Sequence, residues 1–478
     1  MTLDNRTRWY ALVVLCMGTL MIVLDTTIVN VALPSIKTDL NFSDTSLAWV
    51  VNAYMLTYGG FLLLGGRLGD LYGHRRLFLI GIVVFTLASL GCGLSTTQAA
   101  LVIARCVQGL GGAVVTAVAL SLIMDLFTEA ADRAKAMGVY GFVCAGGGSL
   151  GAMLGGVLTS SLSWHWVFLV NLPIGIGVVV LSLRLLPAVS SGVTSRHLDV
   201  LGAVTVTAAL MLAVYAIVNG NELGWTSQRT LGQLLIAIAL LTSFLLIETR
   251  VHTPLMPLRL FKLRNLAVSN IVGVLWAAAM FAWFFLSALY MQLVLGYNPM
   301  EVGLAFLPAN LIMAVFSLGI SAKLVMRFGI RRPLACGLLL AAAGLLLFAR
   351  APVDGHFLLD ILPGMLLLGL GAGIAFNPVL LAAMSDVSPS ESGLASGVVN
   401  TAFMMGGALG LAILASLAAS RSEGLLTSGH SSLAALAGGY QAAFLVGACF
   451  AALGALLGGA MLRTNLTAAQ GSEAASPT

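Results

Sequence analysis

The residue that most clearly indicates chemistry is Asp25, because it lies within an apolar run of the sequence, residues 9–33. A run of this length can cross a bilayer, and an acidic side chain at such depth costs roughly 2.5–3.5 kcal/mol on insertion scales. Thr26 and Asn30 share a helix face that Asp25 borders, since they are four residues apart. We therefore expect Asp25 to take up and release a proton at a cavity. The alternative is a carboxyl group that stays protonated or permanently paired and only fixes helix packing.

A second charged residue, Arg105, lies within the apolar run 99–124. Its guanidinium stays charged at any working pH, so within a membrane it needs an anion or several carbonyl groups. Gln108 follows one turn later and shares its polar face. A cation near Asp25 favours the ionised carboxylate and desolvation disfavours it, so helix movement can switch proton affinity. The sequence leaves open whether Arg105 contacts Asp25 or packs against backbone carbonyls.

Other kinds of chemistry find no support in the sequence. It has no HExxH zinc motif, no GxxxxGK[ST] phosphate loop and no nucleophile with a matching base, so an enzyme is the least favoured class. The cysteines are isolated in apolar runs, which favours packing over metal binding: Cys16, Cys92, Cys106, Cys144, Cys336 and Cys449. We therefore expect no metal and no other cofactor. No nucleic-acid partner is expected either. The expected driving force for any transport is a proton gradient.

The composition indicates a protein that crosses a membrane many times. The 478 residues have a mean hydropathy of +1.02 and only 9% charged side chains, which excludes an ordinary soluble domain. Apolar runs long enough to span a bilayer recur along the whole chain. They lie near 9–33, 46–66, 77–97, 99–124, 134–158, 165–187, 199–219, 230–249, 266–295, 301–326, 332–350, 357–384, 392–418 and 438–462.

Basic residues divide unequally between the two ends of these runs. If the N-terminus is cytoplasmic, eighteen Lys and Arg residues lie on the inner side and four on the outer side. Because basic residues concentrate in cytoplasmic loops, both termini are expected inside the cell. The first run is too long for a removable signal peptide and has no cleavage site. The Arg-rich, Lys-poor composition suggests a bacterial protein, and hence the inner (cytoplasmic) membrane.

The chain contains an internal repeat of a basic loop. Residues 66–76 follow the second run and residues 321–332 follow the tenth, as expected of two related halves around a central pathway. The second copy has Met326 in place of Asp70. The predicted domains are a six-helix bundle at 1–187, two additional helices with linkers at 188–260, a second six-helix bundle at 261–463 and a disordered cytoplasmic tail at 464–478.

The first basic loop combines glycines with opposite charges. Gly66 and Gly73 permit close helix approach and a tight turn. Asp70 and Arg75 can pair with each other or with Asp125 at the end of the fourth run. Such a cluster can hold one conformation and release it when helices move. The alternative is a static ion-pair network that anchors the loop.

Several stretches resemble motifs of one family, the major facilitator superfamily, and specifically its fourteen-helix drug:proton antiporters. They are the basic loop 66–76, the first-run stretch 24–34, the fourth-run stretch 101–112, the glycines Gly138, Gly147, Gly151, Gly155 and Gly156, and the stretches 393–401 and 406–410. The resemblance implies an all-α membrane fold of two six-helix bundles plus two central helices. It also implies that the basic loop latches the outward-facing state and that the glycines form the antiporter motif of helix five.

Two departures from the family pattern affect this interpretation. Ala152 stands where the helix-five motif has a proline, so the helix is expected to bend less there. Phe403 and Met404 stand where relatives usually have an Arg-Gln pair, which makes the pathway more apolar. For the glycines, close packing without a role in transport is the alternative.

The expected substrate is amphipathic and either cationic or aromatic. Aromatic rings bind flat or cationic compounds by stacking and cation–π contact, worth about 0.5–2 kcal/mol each, and methionine adapts to varied shapes. The alternative for each ring is that it packs or faces lipid. The predicted pathway residues are Thr26, Asn30, Gln108, Trp276, Met280, Trp283, Tyr290, Gln292, Asn310 and Asn400.

Together these features predict a monomeric, proton-coupled exporter of drugs or antibiotics that works by alternating access. Asp25 and Arg105 are the expected proton-coupling pair, and Asp360 is a candidate second proton site. Two alternatives remain: a transporter of an endogenous solute such as a self-made antibiotic, lipid or peptide, and a membrane receptor that has lost transport.

Overall fold

The chain folds into long helices that pack side by side. The computed structural model describes residues 4–43, 45–127, 129–186, 200–251, 254, 258–387 and 392–462, and within these ranges some side chains are left undescribed. No β-strand occurs in these ranges. The tail predicted at 464–478 and most of the linker after 187 lie outside them.

The N-terminal bundle contains six membrane segments, the last of which is broken into two helices. Helix α1 packs on α4, α5 and α7, helix α4 packs on α2 and α3, and α3 packs on α7. Their bounds are α1 Asn5–Leu40, α2 Trp49–Tyr72, α3 His74–Gly93, α4 Gln98–Leu126, α5 Ala130–Ser161, α6 Trp166–Leu169 and α7 Asn171–Leu185.

The rest of the chain forms an additional helix pair and a second bundle. The pair is α8 Val200–Leu223 and α9 Gln228–Arg250. The C-terminal bundle comprises α10 Arg264–Leu289, α11 Pro299–Val315, α12 Ser321–Phe328, α13 Arg331–Phe348, α14 Leu362–Met384, α15 Ser392–Thr427 and α16 Ser432–Met461. Three π-helical turns extend α10, join α11 to α12 and precede α14; they are Tyr290–Val294, Phe316–Ile320 and Phe357–Ile361.

Side-chain caps set the start of several helices. The Thr97 hydroxyl accepts a hydrogen bond from the backbone of α4, and Ser431 caps α16 in the same way. Asn298 and Glu301 form a reciprocal capping box at the start of α11. These side chains satisfy backbone N–H groups that have no partner within the helix.

Each of the repeated basic loops turns at a glycine with a positive φ. Gly73 between α2 and α3 has a φ of +93°, and Gly329 between α12 and α13 has a φ of +76°. This region of backbone conformation favours glycine because it has no Cβ. Gly66 faces α4, where a Cβ on it would lie 3.8 Å from Ala117 Cβ. The predicted tight turns are therefore present.

Each of the fourteen predicted runs coincides with helical structure. Among the described residues, eleven helices are long and apolar enough to cross a membrane, including both α8 and α9. Two shorter apolar helices are Leu150–Ser161 and Pro299–Val315. The first belongs to α5, and the second, α11, continues through a π-helical turn into α12. The expected all-α multi-pass membrane fold is confirmed.

The helices end at two opposite faces of the structure. The basic face is the set of helix ends that carry Arg8, Arg75, Arg264 and Arg331, and the opposite face is the set that carries Lys37 and Trp164. The bundles contact each other through α5 with α11 and through α2 with α15. At the opposite face Gln292 of the α10 extension donates to the Val31 carbonyl of α1 at 3.0 Å. These contacts close the opposite face.

Helix α8 packs against both bundles, on α2 and on α15. Thr207 of α8 lies against Gly60 of α2, so close that a Cβ on this glycine has no room. The Ser416 hydroxyl of α15 donates to the Ile217 carbonyl of α8 at 3.2 Å. Helix α9 packs on α8 alone among the main contacts and leaves most of its surface outward. Helix α8 therefore covers the contact between α2 and α15, and α9 lies on the outer side of α8.

Candidate functional site

Asp25 and Arg105 form a buried ion pair in the middle of the N-terminal bundle. Arg105 Nη1 donates to Asp25 Oδ2 at 2.5 Å. The exposed fraction is 0% for Asp25 and 1% for Arg105. The contact that the sequence left open is present, and it joins α1 to α4 across 80 residues of sequence.

Two amide side chains complete the surroundings of the carboxylate. Gln108 Nε2 of α4 donates to Asp25 Oδ1 at 2.7 Å, and Asn171 Nδ2 of α7 donates to the same oxygen at 3.1 Å. Gln108 Oε1 in turn accepts from Arg105 Nη1 at 2.6 Å. All four side chains are buried. The carboxylate therefore receives three hydrogen bonds from two helices.

Helix α3 supports this network from the side. Ser89 Oγ lies 2.8 Å from Gln108 Nε2 and 3.4 Å from Asn171 Nδ2, and accepts from both. Its own hydroxyl proton goes to the Phe85 carbonyl at 2.8 Å. The Cys92 thiol donates to Gln108 Oε1 at 3.7 Å. The two amides are thus oriented with their N–H groups toward Asp25.

Arg105 also has partners that do not depend on Asp25. Its Nε donates to the Val50 carbonyl at 2.8 Å. The guanidinium carbon lies 4.4 Å from the ring centre of Tyr54 and 5.6 Å from that of Phe168, within cation–π range. The guanidinium can therefore stay in place when the carboxylate is neutralised.

The geometry fits an ionised carboxylate whose charge can be removed. Every group that contacts the Asp25 oxygens is a hydrogen-bond donor. A neutral carboxyl group is a weaker acceptor than a carboxylate, so protonation weakens these hydrogen bonds. Burial makes each such change energetically large, because the low dielectric strengthens charge interactions. The chemistry that this arrangement permits is reversible protonation of a buried carboxylate.

Helix α5 packs its glycines against the helix that carries Asp25. A Cβ on Gly151 would lie 2.9 Å from the Leu24 carbonyl oxygen, and one on Gly155 would lie 2.6 Å from the Ile28 carbonyl oxygen. Gly147 faces Val23 in the same way. The predicted close approach is therefore made toward α1, directly beside Asp25.

The other face of α5 contacts the C-terminal bundle. A Cβ on Gly156 would lie 2.7 Å from the Pro299 carbonyl oxygen, and one on Gly303 of α11 would lie 2.6 Å from the Ala152 carbonyl oxygen. Ala152, the residue that replaces the motif's proline, thus lies in the contact between bundles. Helix α5 connects the Asp25 helix to the partner bundle through both of its faces.

The two residues of the polar stripe predicted beside Asp25 form hydrogen bonds within α1, and their role in the pathway stays a prediction. The Thr26 hydroxyl donates to the Val23 carbonyl at 2.7 Å, and Asn30 Nδ2 donates to the Thr26 carbonyl at 3.2 Å. Both groups therefore bond within their own helix. Asp25 points instead toward α4 and α7, because it lies on the neighbouring face of α1.

Two of the predicted latch residues, Arg75 and Asp125, make contacts that the structure describes. Asp125 Oδ2 lies 3.1 Å from His74 Nδ1. The sequence had suggested Arg75 as one possible partner of Asp125. Arg75 Nη2 instead donates to the Leu183 carbonyl of α7 at 2.7 Å. The side chain of Asp70 lies outside the described residues. The cluster ties α3 to both α4 and α7 at the basic face.

Two of the predicted pathway residues lie in a ring cluster of the C-terminal bundle. Trp276 of α10 has its ring centre 5.9 Å from Phe376 of α14 and 5.8 Å from Phe403 of α15. Met280 follows one turn later and is buried. Phe376 is 42% exposed, which opens one side of the cluster.

Two other predicted aromatic residues are enclosed. Trp283 is 1% exposed and packs against Phe306 at 5.8 Å between ring centres. Tyr290 is equally buried, and its hydroxyl donates to the Pro352 carbonyl at 2.5 Å. In this conformation neither side chain reaches an open surface, because both fill space between helices.

The remaining predicted polar residues are spread over the molecule. Gln292 joins the two bundles at the opposite face, Asn310 of α11 is buried, and Asn400 of α15 is exposed. Asp360 Oδ2 accepts from the His356 backbone at 2.7 Å and so caps the turn that precedes α14. Its proposed role as a second proton site stays a prediction.

Sequence reasoning missed Asn171, Ser89 and His74. A single Asn or Ser within an apolar run gives little signal, because each is common in membrane helices and bonds readily to backbone. For Asn171, the sequence feature that could have drawn attention is Pro173 two residues later, because proline is common in the first turn of a helix. For His74 the sign was its place between Gly73 and Arg75 in the basic loop.

Comparisons with known proteins agree with this architecture. Residues 15–411 match the family described as Major Facilitator Superfamily. The chain is 40% identical over 452 residues to the puromycin resistance protein pur8 of Streptomyces alboniger, covering 94% of this chain and 89% of that protein. It is 39% identical over 426 residues to the cephamycin export protein CmcT of Amycolatopsis lactamdurans, covering 88% and 87%.

Solved structures show the same fold at lower identity. The crystal structure of an auto-inhibited POT family peptide transporter superposes with a TM-score of 0.69 at 16% identity. It covers 97% of this chain and 98% of that one. This similarity supports the arrangement of helices alone.

Proposed function

This chain belongs to the Major Facilitator Superfamily, and from that premise we propose that it is a proton-coupled antiporter that exports antibiotics or similar drugs. That it is a multi-pass membrane transporter of small molecules follows from the family. The observation that carries the proton coupling is the fully buried Asp25–Arg105 pair. An ionisable pair at this depth is costly to maintain and typically marks an ion pathway.

In the proposed cycle Asp25 alternates between a charged and a neutral form. Protonation from the outside weakens its bonds to Arg105, Gln108 and Asn171 and lowers affinity for the drug in the outward-facing state. In the inward-facing state the proton leaves and the drug binds. Helix α5 transmits the change because it packs on α1 through Gly151 and on α11 through Gly156. The contact set of the basic loop, including His74 and Asp125, is proposed to latch one of the two states.

The proton gradient can supply the required free energy. Each charge moved across the membrane is worth about 2.3 kcal/mol per 100 mV, and each pH unit adds about 1.4 kcal/mol. One proton therefore supports an accumulation ratio of roughly tenfold to several hundredfold, depending on coupling and on the charge of the drug. No other cofactor is proposed.

The proposed substrates are amphipathic, and either aromatic or cationic. The two relatives are named for puromycin resistance and cephamycin export, which supports antibiotics as a class. The ring cluster of Trp276, Phe376 and Phe403 offers stacking surfaces for flat compounds. The substrate itself is not assigned.

We further propose that the basic face is cytoplasmic, with both termini inside, in the inner membrane of a bacterium. The excess of Lys and Arg at this face favours that orientation. A monomer is the proposed functional unit, since one chain contains both bundles and the whole Asp25 network.

The first experiment follows coupled movement of ethidium and protons in liposomes. With an imposed proton gradient, parental protein is expected to exchange ethidium for protons, and Asp25→Asn is expected to lose both fluxes. Asp39→Asn is the matched control, because Asp39 lies on the same helix but is exposed and accepts a hydrogen bond from Trp164. Its coupling is expected to stay intact.

Each alternative outcome has a defined meaning. Proton-coupled exchange that survives in Asp25→Asn would make Asp25 structural, and Asp360 would be tested next. Absence of ethidium movement in the parental protein would remove the support for export of cationic drugs.

A second candidate is transport of an endogenous product such as a self-made antibiotic, since a relative is named for export of the antibiotic cephamycin and not for resistance to it. Growth of cells with and without the gene on a panel of antibiotics separates the two cases. Protection against several unrelated drugs supports drug export. Protection against none supports an endogenous solute, and absence of any flux would favour a membrane receptor.

A further inference from the structure

We infer that Asn171 is a positioning residue that holds the Asp25 carboxylate in its charged form and so sets the pH at which Asp25 exchanges its proton. The inference rests on the proposed function for its meaning in transport. Its geometric basis is independent of that function, because it concerns only the groups around Asp25.

Asn171 is placed at the break in the sixth membrane segment. Helix α6 ends at Leu169, and α7 begins at Asn171, so only Val170 separates the two helices. The break presents two side chains to the ion pair. Phe168 lies 5.6 Å from the Arg105 guanidinium carbon, and Asn171 Nδ2 lies 3.1 Å from Asp25 Oδ1. One short segment therefore contacts both the cation and the anion.

The orientation of the Asn171 amide is determined by its neighbours. Its Nδ2 lies between two acceptors, Asp25 Oδ1 and Ser89 Oγ at 3.4 Å. Ser89 cannot donate to the amide, because its proton goes to the Phe85 carbonyl. The amide N–H group, and not its oxygen, thus faces the carboxylate. A donor in this position stabilises the ionised form of an acid over the neutral form.

Among the described side chains, the other charged or titratable groups near Asp25 come from three helices. They are Arg105 on α4, Tyr54 on α2 and Cys92 on α3. Helix α5 presents glycines to α1 next to Asp25. Helix α7 contributes the neutral Asn171 amide. Replacing Asn171 by an apolar residue of similar size therefore removes its hydrogen bonds to Asp25 and Ser89 and adds or removes no charge near Asp25.

The test is an infrared pH titration of the purified protein in lipid. The carboxylic C=O band of Asp25 is identified as the band that Asp25→Asn removes. In Asn171→Leu the midpoint of this band is expected to move to higher pH by about one to two units, since a hydrogen bond to a charged group is lost. Asn171→Thr keeps a hydroxyl donor and is expected to lie between Asn171→Leu and the parental protein.

Ser182→Ala provides the control on the same helix. Ser182 is buried in α7, but it makes no hydrogen bond to the Asp25 network. Its replacement is expected to leave the midpoint unchanged. A midpoint shift in this variant as large as that in Asn171→Leu would show a general disturbance of α7 and overturn the inference.

The remaining outcomes separate this inference from the proposed function. An unchanged midpoint in Asn171→Leu, with an intact Asp25 band, overturns the role of Asn171 and leaves proton-coupled export standing. A shifted midpoint in a protein whose parental form moves no protons in liposomes supports Asn171 and contradicts the antiporter. If Asn171→Leu does not fold, the Asn171→Thr midpoint decides: a move to higher pH supports the inference and no move overturns it.

Discussion

At the scale of single residues, the molecule treats its buried polar groups in two opposite ways. Around Asp25 the polar side chains of α1, α3, α4 and α7 hydrogen-bond to one another, whereas the hydroxyl of the neighbouring Tyr54 has no partner. A carboxylate in such a place is stable only while its donors remain. In helix α2, by contrast, a buried amide side chain has no hydrogen-bond partner. Asn52 of α2 is 0% exposed, and neither its oxygen nor its nitrogen has a hydrogen-bond partner.

The position of Asn52 suggests why such a group is tolerated. It lies one turn from Met55, whose side chain contacts α15 at Gly407, so Asn52 shares the helix face between the bundles. A polar group there is dehydrated while the opposite face is closed. Opening that face gives it water.

Asn52→Leu is expected to stabilise the protein in the closed form. The change removes two unpartnered polar atoms at nearly constant volume, so the free energy of unfolding should rise by about 1–3 kcal/mol. The melting temperature in detergent measures this. Asn171→Leu is the comparison, because the same change there removes a bonded amide and should lower the melting temperature. Equal shifts in both variants would contradict this account.

At the scale of secondary-structure elements, the sequence of α5 most directly determines how closely this helix packs on α1 and how easily the two helices can slide. Its glycines at 147, 151 and 155 recur every four residues and face α1. Close backbone contact of this kind lets two membrane helices slide with little side-chain obstruction. The replacement of the motif's proline by Ala152 leaves α5 as one continuous helix, Ala130–Ser161.

Gly151→Ala is expected to impair both stability and coupling. Its Cβ would lie 2.0 Å from Thr27 Oγ1 and 2.9 Å from the Leu24 carbonyl oxygen, so α1 would have to shift beside Asp25. Overpacking of this kind costs roughly 1–3 kcal/mol. The melting temperature and ethidium–proton exchange in liposomes are the measurements.

Gly148→Ala is the matched control on the same helix. The nearest atom to its added Cβ is 3.9 Å away, on Thr27, which is ordinary contact. Its melting temperature and exchange rate should stay close to the parental values. A loss equal to that of Gly151→Ala would indicate that helix α5 tolerates no added methyl group anywhere, irrespective of its contact with α1.

At the scale of the whole molecule, the two bundles contact each other along two seams, α5–α11 and α2–α15. Helix α8 covers the second of these seams. The α5–α11 seam contains glycine contacts, and the α2–α15 seam is covered by α8. Alternating access requires the seams to open at one face while closing at the other. Because α8 contacts both α2 and α15, we expect it to move if the proposed alternating access takes place. The α5–α11 seam carries no such cover among the described contacts.

Gly156→Leu is expected to hold the opposite face open. The new side chain would meet the Pro299 carbonyl oxygen and Met300 Cα of α11 at 2.7 and 2.8 Å from its Cβ, so only separation of the bundles relieves the clash. A penalty of about 1–3 kcal/mol changes the ratio of two states roughly 5- to 150-fold. Transport should fall accordingly.

Spin-label distances measure this change. Labels at the exposed residues Ser161 and Ser428, one at the opposite face of each bundle, should move apart in Gly156→Leu. Gly177→Leu is the control, because a Cβ there has nothing within 4 Å. An unchanged distance distribution in Gly156→Leu would show that this contact does not limit opening.

Much of the fold was determined by the sequence alone, for a simple physical reason. A lipid bilayer requires about twenty apolar residues per crossing and satisfies no backbone polar group, so hydropathy specifies the helices almost by itself. The same requirement made Asp25 and Arg105 conspicuous, because a charge within an apolar run is rare. The glycine spacing of α5 likewise predicted close helix contact.

Only the tertiary structure decided which polar groups meet. Asp25 and Asn171 are 146 residues apart, and nothing in either segment records the other. The same holds for Asp125, which contacts His74 while Arg75 bonds to the Leu183 carbonyl. Sequence patterns give the face on which a residue lies, but a contact also depends on how neighbouring helices cross and rotate. That geometry arises from packing of the whole bundle, and it turned an isolated acid into a network of five side chains, Asp25, Ser89, Arg105, Gln108 and Asn171.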